Sequence, residues 1–355
     1  MSDLTEEFRA RILAAGSAAP LCIRGGGSKD FYGQAPRGAL LETRAHAGVL
    51  AYEPTELVIT ARSGTPLAAI EAVLAEQGQC LAFEPPRFGA DSTIGGVVAA
   101  GLSGPRRVSA GAVRDFVLGV KMLDGAAREL SFGGQVMKNV AGYDVSRVMA
   151  GSLGTLGLLL EISLKVLPRP VAEATLRFEL PQAAALDKLN RWAGQPLPIV
   201  ASAWADGELT LRLAGARAAI AAAEQELGGA KVGAGETAFW TELRDQRAPF
   251  FADERPLWRL SVPSIAPVID LPGATLIEWG GAQRWLRSSA PAEDIRAAAA
   301  KVGGSATLFR ADPALKAAVG AFTALPLPVL NLQRRLKQTF DPHGIFNPGR
   351  MYAEL

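Results

Sequence analysis

The sequence predicts an α+β protein with two main domains, and three observations lead to this prediction. The chain has 355 residues, which corresponds to two domains at roughly 150 residues each. Strand, turn and helix patterns alternate in its first half, which by itself indicates α/β or α+β with helices covering sheets. Two prolines in Leu167-Pro168-Arg169-Pro170 then interrupt every regular element. We therefore expect domains at residues 1–168 and 169–328, followed by a separate tail at 329–355.

The first half is predicted from short apolar strands and one clear helix. Leu67, Ile70 and Leu74 recur at helical spacing. Pro66 suits the first helical position before them, and Thr65 is the expected N-cap. The other elements expected here are a helix at 4–15 and strands at Leu21–Arg24, Glu56–Ala61, Val117–Leu123 and Leu158–Val166.

The second half alternates strands and helices in a way that predicts two βαβ-type halves around an antiparallel sheet. Asp206-Gly207 between two apolar strands is a hairpin signal. The strands are expected at Ala174–Leu180, Ile199–Trp204, Leu209–Leu213, Trp258–Val262, Ala274–Trp279, Gln283–Leu286 and Ala306–Arg310. The helices are expected at Ala183–Trp192, Ala216–Leu227, Ala292–Val302 and, in the tail, Leu330–Phe340.

Composition and charge exclude several classes of protein. Lys and Arg number 37 against 35 Asp and Glu, and a net charge of +2 argues against nucleic acid as the main partner. Two histidines and two cysteines are too few for a His/Cys metal cage or an iron–sulfur cluster held by this chain alone, so no metal site is expected. Cys22 and Cys80 are expected to be buried thiols in a reducing cytosol. We expect no secretory signal and no membrane span.

Glycine is the most informative residue type in this sequence. The 38 glycines concentrate in short clusters of the first half. The first cluster, Arg24-Gly25-Gly26-Gly27-Ser28, follows a strand, and three glycines in a row leave successive N–H groups free to form an anion-binding nest. A flexible turn is the alternative for this cluster. It is neither a Walker A loop nor a Gly-x-Gly-x-x-Gly dinucleotide fingerprint.

Two further glycine clusters strengthen the case for a phosphate-containing ligand. Ser92-Thr93-Ile94-Gly95-Gly96 also offers hydroxyls and backbone donors, and a second nest predicts a diphosphate held from two sides. The third cluster, Gly151-Ser152-Leu153-Gly154-Thr155-Leu156-Gly157, runs into a strand, and for Gly157 we favour tight packing at a sheet corner. Together the three clusters favour a dinucleotide-like cofactor.

The order of these motifs resembles a known family. The chain carries, in this order, RGGGS, a helix that begins at Thr-Pro, STIGG, an RD-x-VLG strand, KNVAGYD, GSLGTLG and FDPHGIFNPGR. This order resembles the FAD-binding domain of the vanillyl-alcohol oxidase/PCMH superfamily, and the segment 135–144 with the short length narrows it to FAD-binding subunits of bacterial glycolate oxidase. The resemblance is strong over 21–168, good over 329–351, and limited to size and pattern between them. It implies a PCMH-type FAD-binding domain of two subdomains, a ferredoxin-like α+β second domain, and a tail that packs back on the FAD domain.

The resemblance also implies which residues bind FAD, and each stands at a position that matches a family motif. They are Gly25, Gly26, Gly27 and Ser28 around the pyrophosphate, Thr93, Gly95 and Gly96 on its other side, Gly101, Gly111, Arg114 and Asp115 along the flavin, Gly151, Ser152, Thr155 and Ile162 toward adenine, and Asn347 beside the isoalloxazine. Arg107 is expected to supply a countercharge nearby.

Two departures from the family pattern shape the expected function. Many relatives carry His after the three glycines and tether FAD to it, whereas this chain has Ser28, so non-covalent FAD is expected. The larger 2-hydroxy-acid dehydrogenases of the family use a cluster of histidines to bind metal and substrate and to accept the substrate proton. This chain has only His46, expected at the surface, and His343, expected in a turn, so no catalytic residue is assigned.

Three other residues are candidates for contact with the flavin or the substrate. Lys138 and Tyr143 are candidates to face the flavin, and Arg350 is a candidate to hold a carboxylate. A structural role is equally open for each of them.

The resemblance implies an FAD-dependent oxidoreductase, namely the FAD-binding subunit of a complex that oxidises glycolate to glyoxylate. The expected partners are a larger FAD-linked subunit and an iron–sulfur subunit, in the cytoplasm and at the inner membrane through those partners. The scarcity of histidine favours electron relay or support of the larger subunit. The alternatives are a self-sufficient FAD-dependent alcohol or 2-hydroxy-acid oxidoreductase, and an assembly subunit with a structural flavin.

Overall fold

The computed structural model describes residues 3–134, 144–233 and 236–355. The strands are β1 (Leu21–Arg24), β2 (Ala39–Glu42), β3 (Val49–Glu53), β4 (Val58–Arg62), β5 (Gln79–Cys80), β6 (Val117–Leu123), β7 (Glu129–Gly133), β8 (Leu158–Lys165), β9 (Leu167–Pro168), β10 (Ala172–Glu179), β11 (Ile199–Ala205), β12 (Glu208–Gly215), β13 (Ala230–Lys231), β14 (Leu257–Ser261), β15 (Ala274–Glu278), β16 (Gln283–Arg287) and β17 (Ser305–Arg310). The α-helices are α1 (Thr5–Leu13), α2 (Leu67–Glu76), α3 (Ile94–Ala100), α4 (Arg107–Ala110), α5 (Val113–Phe116), α6 (Gln182–Ala193), α7 (Arg217–Leu227), α8 (Glu236–Arg244), α9 (Ala292–Lys301), α10 (Pro313–Val319) and α11 (Leu327–Phe340). Short 3-10 helices lie at Val145–Met149, Pro249–Ala252 and Trp279–Gly281.

The chain forms two compact units, and neither is continuous in sequence. The first comprises Met1–Leu102, Ala112–Pro168 and Ala324–Leu355, and the second comprises Ser103–Gly111 and Arg169–Thr323. The segment Ser103–Gly111 thus lies with the second unit, although the sequence pattern treats 1–168 as one uninterrupted domain. The last stretch of the first unit also begins before the expected position 329.

The first unit is built on an antiparallel five-stranded sheet with the order β3-β4-β8-β6-β7. A separate parallel pair, β1 with β2, carries the chain into the first glycine cluster. Phe8 and Ile12 of α1 pack in one core with Leu160 of β8 and with Ile345 and Phe346 of the tail. The tail is therefore part of the core of this unit.

Thr65 differs from its predicted role as a helix cap. Helix α2 begins at Leu67 after Pro66, and no side chain caps it. The Thr65 hydroxyl instead donates to the carbonyl of Arg62 at 2.6 Å and accepts from the N–H of Gly48 at 2.9 Å. These two bonds stabilise the turn between β4 and α2. Because the Thr65 hydroxyl does not cap α2, the N-cap prediction was wrong.

The second unit contains an antiparallel eight-stranded sheet with the order β13-β10-β12-β11-β15-β16-β14-β17. Its first half follows the element order β-α-β-β-α-β, which is the order of the ferredoxin-like motif. The two halves join through the pairing of β11 with β15, from Ala203↔Glu278 to Ala205↔Leu276. Separate apolar cores under α6, α7 and α9 hold these helices on the sheet.

The hairpin predicted at Asp206-Gly207 is confirmed. Strands β11 and β12 pair antiparallel up to Ala205↔Glu208. Both turn residues have positive φ, 49° at Asp206 and 85° at Gly207, which a two-residue type I′ turn requires.

Within the part of the chain that the structure describes, no helix is both long enough and apolar enough to cross a bilayer.

Candidate cofactor site

A cleft in the first unit brings several of the predicted cofactor residues together. The loop 24–30, the helix α3, Leu153 and the tail residues Asn347 and Arg350 line it. Its non-protein space is about 590 Å³, with open solvent at the mouth included. The predicted cofactor residues among its lining are Gly25, Gly26, Gly27, Ser28, Thr93, Gly96 and Asn347.

The first glycine cluster presents unused backbone donors to this cleft. Among the described residues, no protein group accepts a hydrogen bond from the N–H groups of Gly25, Gly26, Gly27 or Ser28. Gly27 has φ of 70°, a left-handed conformation that lets successive N–H groups turn toward one point. Four adjacent backbone donors without acceptors at a cleft surface are suited to bind a phosphate or another anion.

The glycines of the first cluster are also needed because a second loop presses against them. A Cβ on Gly26 would overlap the carbonyl of Asp91, and a Cβ on Gly25 would overlap the hydroxyl of Thr93. Packing alone therefore forbids larger residues at both positions. The two loops form one structural layer at the base of the cleft.

The second glycine cluster supports the first loop and offers fewer free donors than the sequence predicted. Ile94 and Gly95 donate their N–H groups to the carbonyls of Thr65 at 2.9 Å and Ser63 at 2.8 Å. The Gly96 N–H donates to the hydroxyl of Thr93 at 3.2 Å, so Thr93 caps α3. The prediction of a second nest at these three N–H groups was wrong, because the junction of β4 and α2 supplies acceptors for two of them and the Thr93 hydroxyl supplies the third.

The third glycine cluster receives the other end of α3. Gly151 and Leu153 donate their N–H groups to the carbonyls of Val98 at 3.0 Å and Ala99 at 2.8 Å. Gly101 ends α3 so close to this turn that a Cβ on it would lie 2.7 Å from the Cα of Gly151. Helix α3 is thus held by the second cluster at its start and by the third cluster at its end.

The predicted residues of the third cluster do not line the cleft itself. Gly151, Ser152 and Thr155 line a second pocket together with residues of α11 and the tail, and its non-protein space is about 560 Å³ with open solvent included. The packing interpretation of Gly157 is confirmed, because a Cβ there would lie 2.7 Å from the carbonyl of Leu123.

Asn347 connects the tail to both the first strand and the third cluster. Its Oδ1 accepts from the N–H of Ile23 at 2.8 Å, and its Nδ2 donates to the carbonyl of Leu153 at 2.7 Å. Its own N–H donates to the carbonyl of Leu21 at 3.0 Å. The side-chain amide therefore fixes the end of β1 just before the nest.

Charged side chains that sequence reasoning did not select lie beside the nest. Lys29 Nζ donates to the hydroxyls of Ser92 at 3.0 Å and Ser28 at 3.3 Å, which places a positive charge between the two loops. Arg24 pairs with Asp30 at 2.6 Å across the nest. The signal for Lys29 was available, since a lysine directly follows the three glycines and Ser28.

Five more predicted residues, besides Gly95, Gly101, Gly151, Ser152 and Thr155, lie away from the lining of the cleft. Arg107 and Gly111 belong to the second unit, where the Arg107 guanidinium lies 4.4 Å from the ring centre of Trp279. Asp115 accepts from the N–H of Ala112 at 2.8 Å at the start of α5, beside the exposed Arg114. Ile162 pairs with Ala61 and Val120 in the middle of the five-stranded sheet.

Comparison with known proteins decides the family. A family model described as "FAD binding domain" matches residues 5–146. The glycolate oxidase subunit GlcE of Escherichia coli K12 is 52% identical over 336 residues, which cover 95% of this chain and 93% of that protein. This chain belongs to the GlcE family of glycolate oxidase subunits.

Other relatives of this GlcE-family chain match over smaller parts or in fold alone. The glycolate oxidase subunit GlcD of Bacillus subtilis 168 is 31% identical over 160 residues, which cover 44% of this chain and 34% of that protein. The structure of an alkyldihydroxyacetonephosphate synthase matches with a TM-score of 0.65 over 97% of this chain and 74% of that chain, at 16% identity. At this identity the likeness concerns the fold alone.

The two histidines of this GlcE-family chain are not lining residues of the cleft. His46 is only 1% exposed, so its predicted surface position was wrong. Its Nδ1 accepts from the N–H of Leu4 at 3.2 Å and its ring packs against Phe8, because α1 covers it. Burial lowers the pKa of His46, with a smaller opposing effect of Asp3. His343 is exposed in the turn after α11.

The remaining candidates for flavin or substrate contact have different outcomes. Lys138 and Tyr143 lie outside the described residues. Arg350 lines the cleft, but its guanidinium donates to backbone carbonyls.

Cys22 and Cys80 do not form a disulfide with each other. Cys22 is buried as predicted, whereas Cys80 is only half-buried, so the prediction of burial was wrong for Cys80. Burial raises the pKa of the Cys22 thiol, which lines the cleft. This thiol therefore stays protonated at neutral pH and is a weak nucleophile.

Proposed function

We propose that this chain binds FAD non-covalently in the cleft of its first unit and serves as the FAD-binding subunit of a glycolate-oxidising complex. The observation that carries the proposal is the set of four unused N–H groups at Gly25–Ser28, held in a cleft and flanked by Lys29. A diphosphate carries the charge and the acceptor oxygens that such a nest binds. The similarity to a full-length glycolate oxidase subunit supports the reaction class.

The residues proposed to bind FAD fall into groups according to their place in the structure. The nest and Lys29 would hold the pyrophosphate, and Thr93, Gly95, Gly96 and Asn347 would keep the nest in place. The further proposed contacts are Gly101, Arg107, Gly111, Arg114, Asp115, Gly151, Ser152, Thr155 and Ile162. We also propose the finer fold assignment, with a PCMH-type FAD-binding domain of two subdomains and a ferredoxin-like second domain.

Non-covalent binding is supported by the side chains that line the cleft. Ser28 occupies the position after the three glycines, and its hydroxyl is not a group that tethers flavin. Cys22 lines the same cleft, but the raised pKa of its buried thiol keeps it protonated.

The experiment is to purify the chain, record its flavin spectrum, and denature it in acid or detergent. We expect yellow flavin to be released completely and to be identified as FAD. A colourless chain that does not take up FAD would contradict the proposal of binding. Flavin that stays on the denatured chain would contradict only the non-covalent mode, and Cys22→Ser would then show whether this thiol is the point of attachment.

We propose that this chain relays electrons or supports a larger flavoprotein subunit, which carries out the substrate chemistry. Bound FAD would supply a two-electron acceptor. Oxidation of a hydroxy acid also needs a base for the hydroxyl proton, and neither His46, sealed under α1, nor the exposed His343 lines the cleft. We therefore propose a larger FAD-linked subunit and an iron–sulfur subunit as partners, in the cytoplasm and at the inner membrane through them.

Two other functions give different results in one assay. If the purified chain alone bleaches its flavin when glycolate or D-lactate is added, it is a self-sufficient oxidoreductase. If the flavin keeps its redox state during turnover of the whole complex, its role is structural. If the chain relays electrons, its flavin stays oxidised with glycolate alone and is reduced when the partner subunits are present.

A further inference from the structure

Arg350 joins the tail of the first unit to the loop that follows the glycine nest. Its guanidinium donates to the carbonyl of Gln34 from Nη1, and to the carbonyls of Asp30 at 3.0 Å and Lys29 at 3.3 Å from Nη2. Its own carbonyl accepts from the N–H of Gln34 at 2.9 Å. These acceptors are backbone atoms, so the side chain fixes the course of the chain over residues 29–34.

The loop that Arg350 holds is continuous with the nest. Asp30 and Tyr32 donate their N–H groups to the carbonyls of Gly27 at 3.1 Å and Lys29 at 2.9 Å, so the nest and the following turns form one winding segment. Gly33 leaves no space at this contact, because a Cβ on it would lie 2.7 Å from the Arg350 carbonyl. A shift of residues 29–34 would therefore move the nest.

The nest is thus supported on two sides. The second loop presses against Gly25 and Gly26, and Arg350 holds the segment that leaves the nest. Arg350 is buried, with 7% of its surface exposed, and its planar fork of donors can meet several carbonyls at once. A lysine ammonium is a single point of charge and cannot reproduce this geometry.

We propose that Arg350 is a positioning residue that holds residues 29–34 so that the N–H groups of Gly25–Ser28 converge on the FAD diphosphate. This inference rests on the proposed function of the cleft. It assigns Arg350 a geometric role, in contrast to direct attraction between its charge and the phosphates.

The test compares Arg350→Lys and Arg350→Met with the wild-type chain. Arg334→Lys and Arg334→Met are matched controls on the exposed surface of α11, where the Arg334 guanidinium donates to the side chain of Asn331 in its own helix at 3.3 Å. The dissociation constants of FAD and of riboflavin, which lacks phosphate, are measured on the apo-protein by flavin fluorescence. Loss of hydrogen bonds that shape a charged site costs about tenfold or more in affinity. We expect both Arg350 variants to lose this much for FAD and to keep riboflavin affinity within about twofold.

Amide exchange of Asp30, Tyr32 and Gln34, whose N–H groups are hydrogen-bonded within the held loop or to Arg350, gives a second readout in the apo-protein that needs no ligand. We expect faster exchange in both Arg350 variants and wild-type exchange in both Arg334 variants. Wild-type exchange in the Arg350 variants would overturn the inference. If Arg350→Lys kept FAD affinity while Arg350→Met lost it, the charge would act directly, and the positioning role would be wrong.

Two further outcomes distinguish this inference from a general scaffold role and from the proposed function itself. Equal losses for FAD and riboflavin would show a general scaffold role and would also overturn the inference. A wild-type chain that binds no FAD would remove the proposed function, whereas the exchange experiment would still decide whether Arg350 holds the nest.

Discussion

Gly26 shows how strongly a single residue constrains the candidate site. A methyl group there would overlap the carbonyl of Asp91, and neither backbone can yield without moving the nest or the start of α3. The sequence pattern predicted this glycine for its free N–H, but the close approach of the loop at Asp91 could not be predicted from the sequence. The glycine thus serves packing and donor geometry together.

We predict that Gly26→Ala weakens FAD binding about tenfold or more and lowers the free energy of unfolding by about 1–3 kcal/mol, as overpacking does. Gly16→Ala is the matched control, because no atom lies within 4 Å of its added Cβ, and its effect on stability should stay within about 0.5 kcal/mol. FAD titration and urea unfolding of the apo-proteins measure both quantities. If the two variants behaved alike, the loop contact would not matter.

His46 is a second residue whose environment was not visible in the sequence. Helix α1 covers it, and its Nδ1 accepts the N–H of Leu4. Asp3 lies 4.0 Å from Nδ1 and pairs with Arg62, while Glu161 is a weaker charged neighbour. Burial outweighs the carboxylates and lowers the pKa of His46 from its ordinary value of 6.5.

We predict that His46 makes the folded state less stable as the pH falls below about 6.5. The unfolded chain binds a proton there while the folded chain resists it, so stability is full above the unfolded pKa and declines below it. His46→Gln keeps an acceptor for the Leu4 N–H but does not titrate. The difference in unfolding free energy between wild type and variant, measured from pH 8 to 5, should therefore shift against the wild type at low pH. A constant difference would contradict this prediction.

At the scale of elements, α11 is fixed by a buried ion pair. Lys337 Nζ donates to the carboxylate of Asp341 at 2.7 Å and to the carbonyls of Thr155 at 2.7 Å and Phe346 at 2.8 Å. Asp341 also accepts the N–H groups of Ile345 at 3.0 Å and Phe346 at 2.8 Å. One lysine therefore joins the helix, the third glycine cluster and the tail.

We predict that Lys337→Met lowers the free energy of unfolding by about 3 kcal/mol, because it leaves the buried Asp341 carboxylate without its counter-charge. Arg335→Met, on the exposed surface of the same helix, should change stability by no more than about 0.5 kcal/mol. Urea unfolding of the apo-proteins at neutral pH compares the two. A loss below about 1 kcal/mol for Lys337→Met would show that the two backbone N–H groups suffice for Asp341.

Elements were predicted well where the information was local. Strands β1 and β6 have the predicted bounds because each is a short, mostly apolar run that ends directly before a glycine or a charged residue. Helix α3 was not predicted, since Gly95 and Gly96 disfavour helix. Its stability depends on Thr93 and on N–H groups from Gly151 and Leu153, and no local pattern reveals contacts this distant in sequence.

At the scale of the whole molecule, the position of the first nest could be predicted from the glycine pattern alone, and the family resemblance supplied the remaining site residues. The cleft unites seven of those residues, whereas Arg107 follows its segment into the second unit. Trp279 holds that segment in the second unit, because its ring stacks on Arg107 and its indole N–H donates to the carbonyl of Gly104 at 3.0 Å. Trp279 and Gly104 are 175 positions apart in the sequence. A pairing of this kind has no signature in spacing or composition. For that reason the predicted domain 1–168 did not exclude the segment Ser103–Gly111, which belongs to the second unit.

The bond between Ile23 and Asn347 has a consequence for how the protein is made. These residues are 324 positions apart, so the strand that leads into the nest emerges from the ribosome long before its partner. Domains tend to fold as units while synthesis proceeds, but this cleft cannot close until residues 345–350 have been translated. We therefore expect cofactor loading only after residues 345–350 have left the ribosome, and ribosome-stalled chains that stop before Asn347 should accumulate as cofactor-free intermediates.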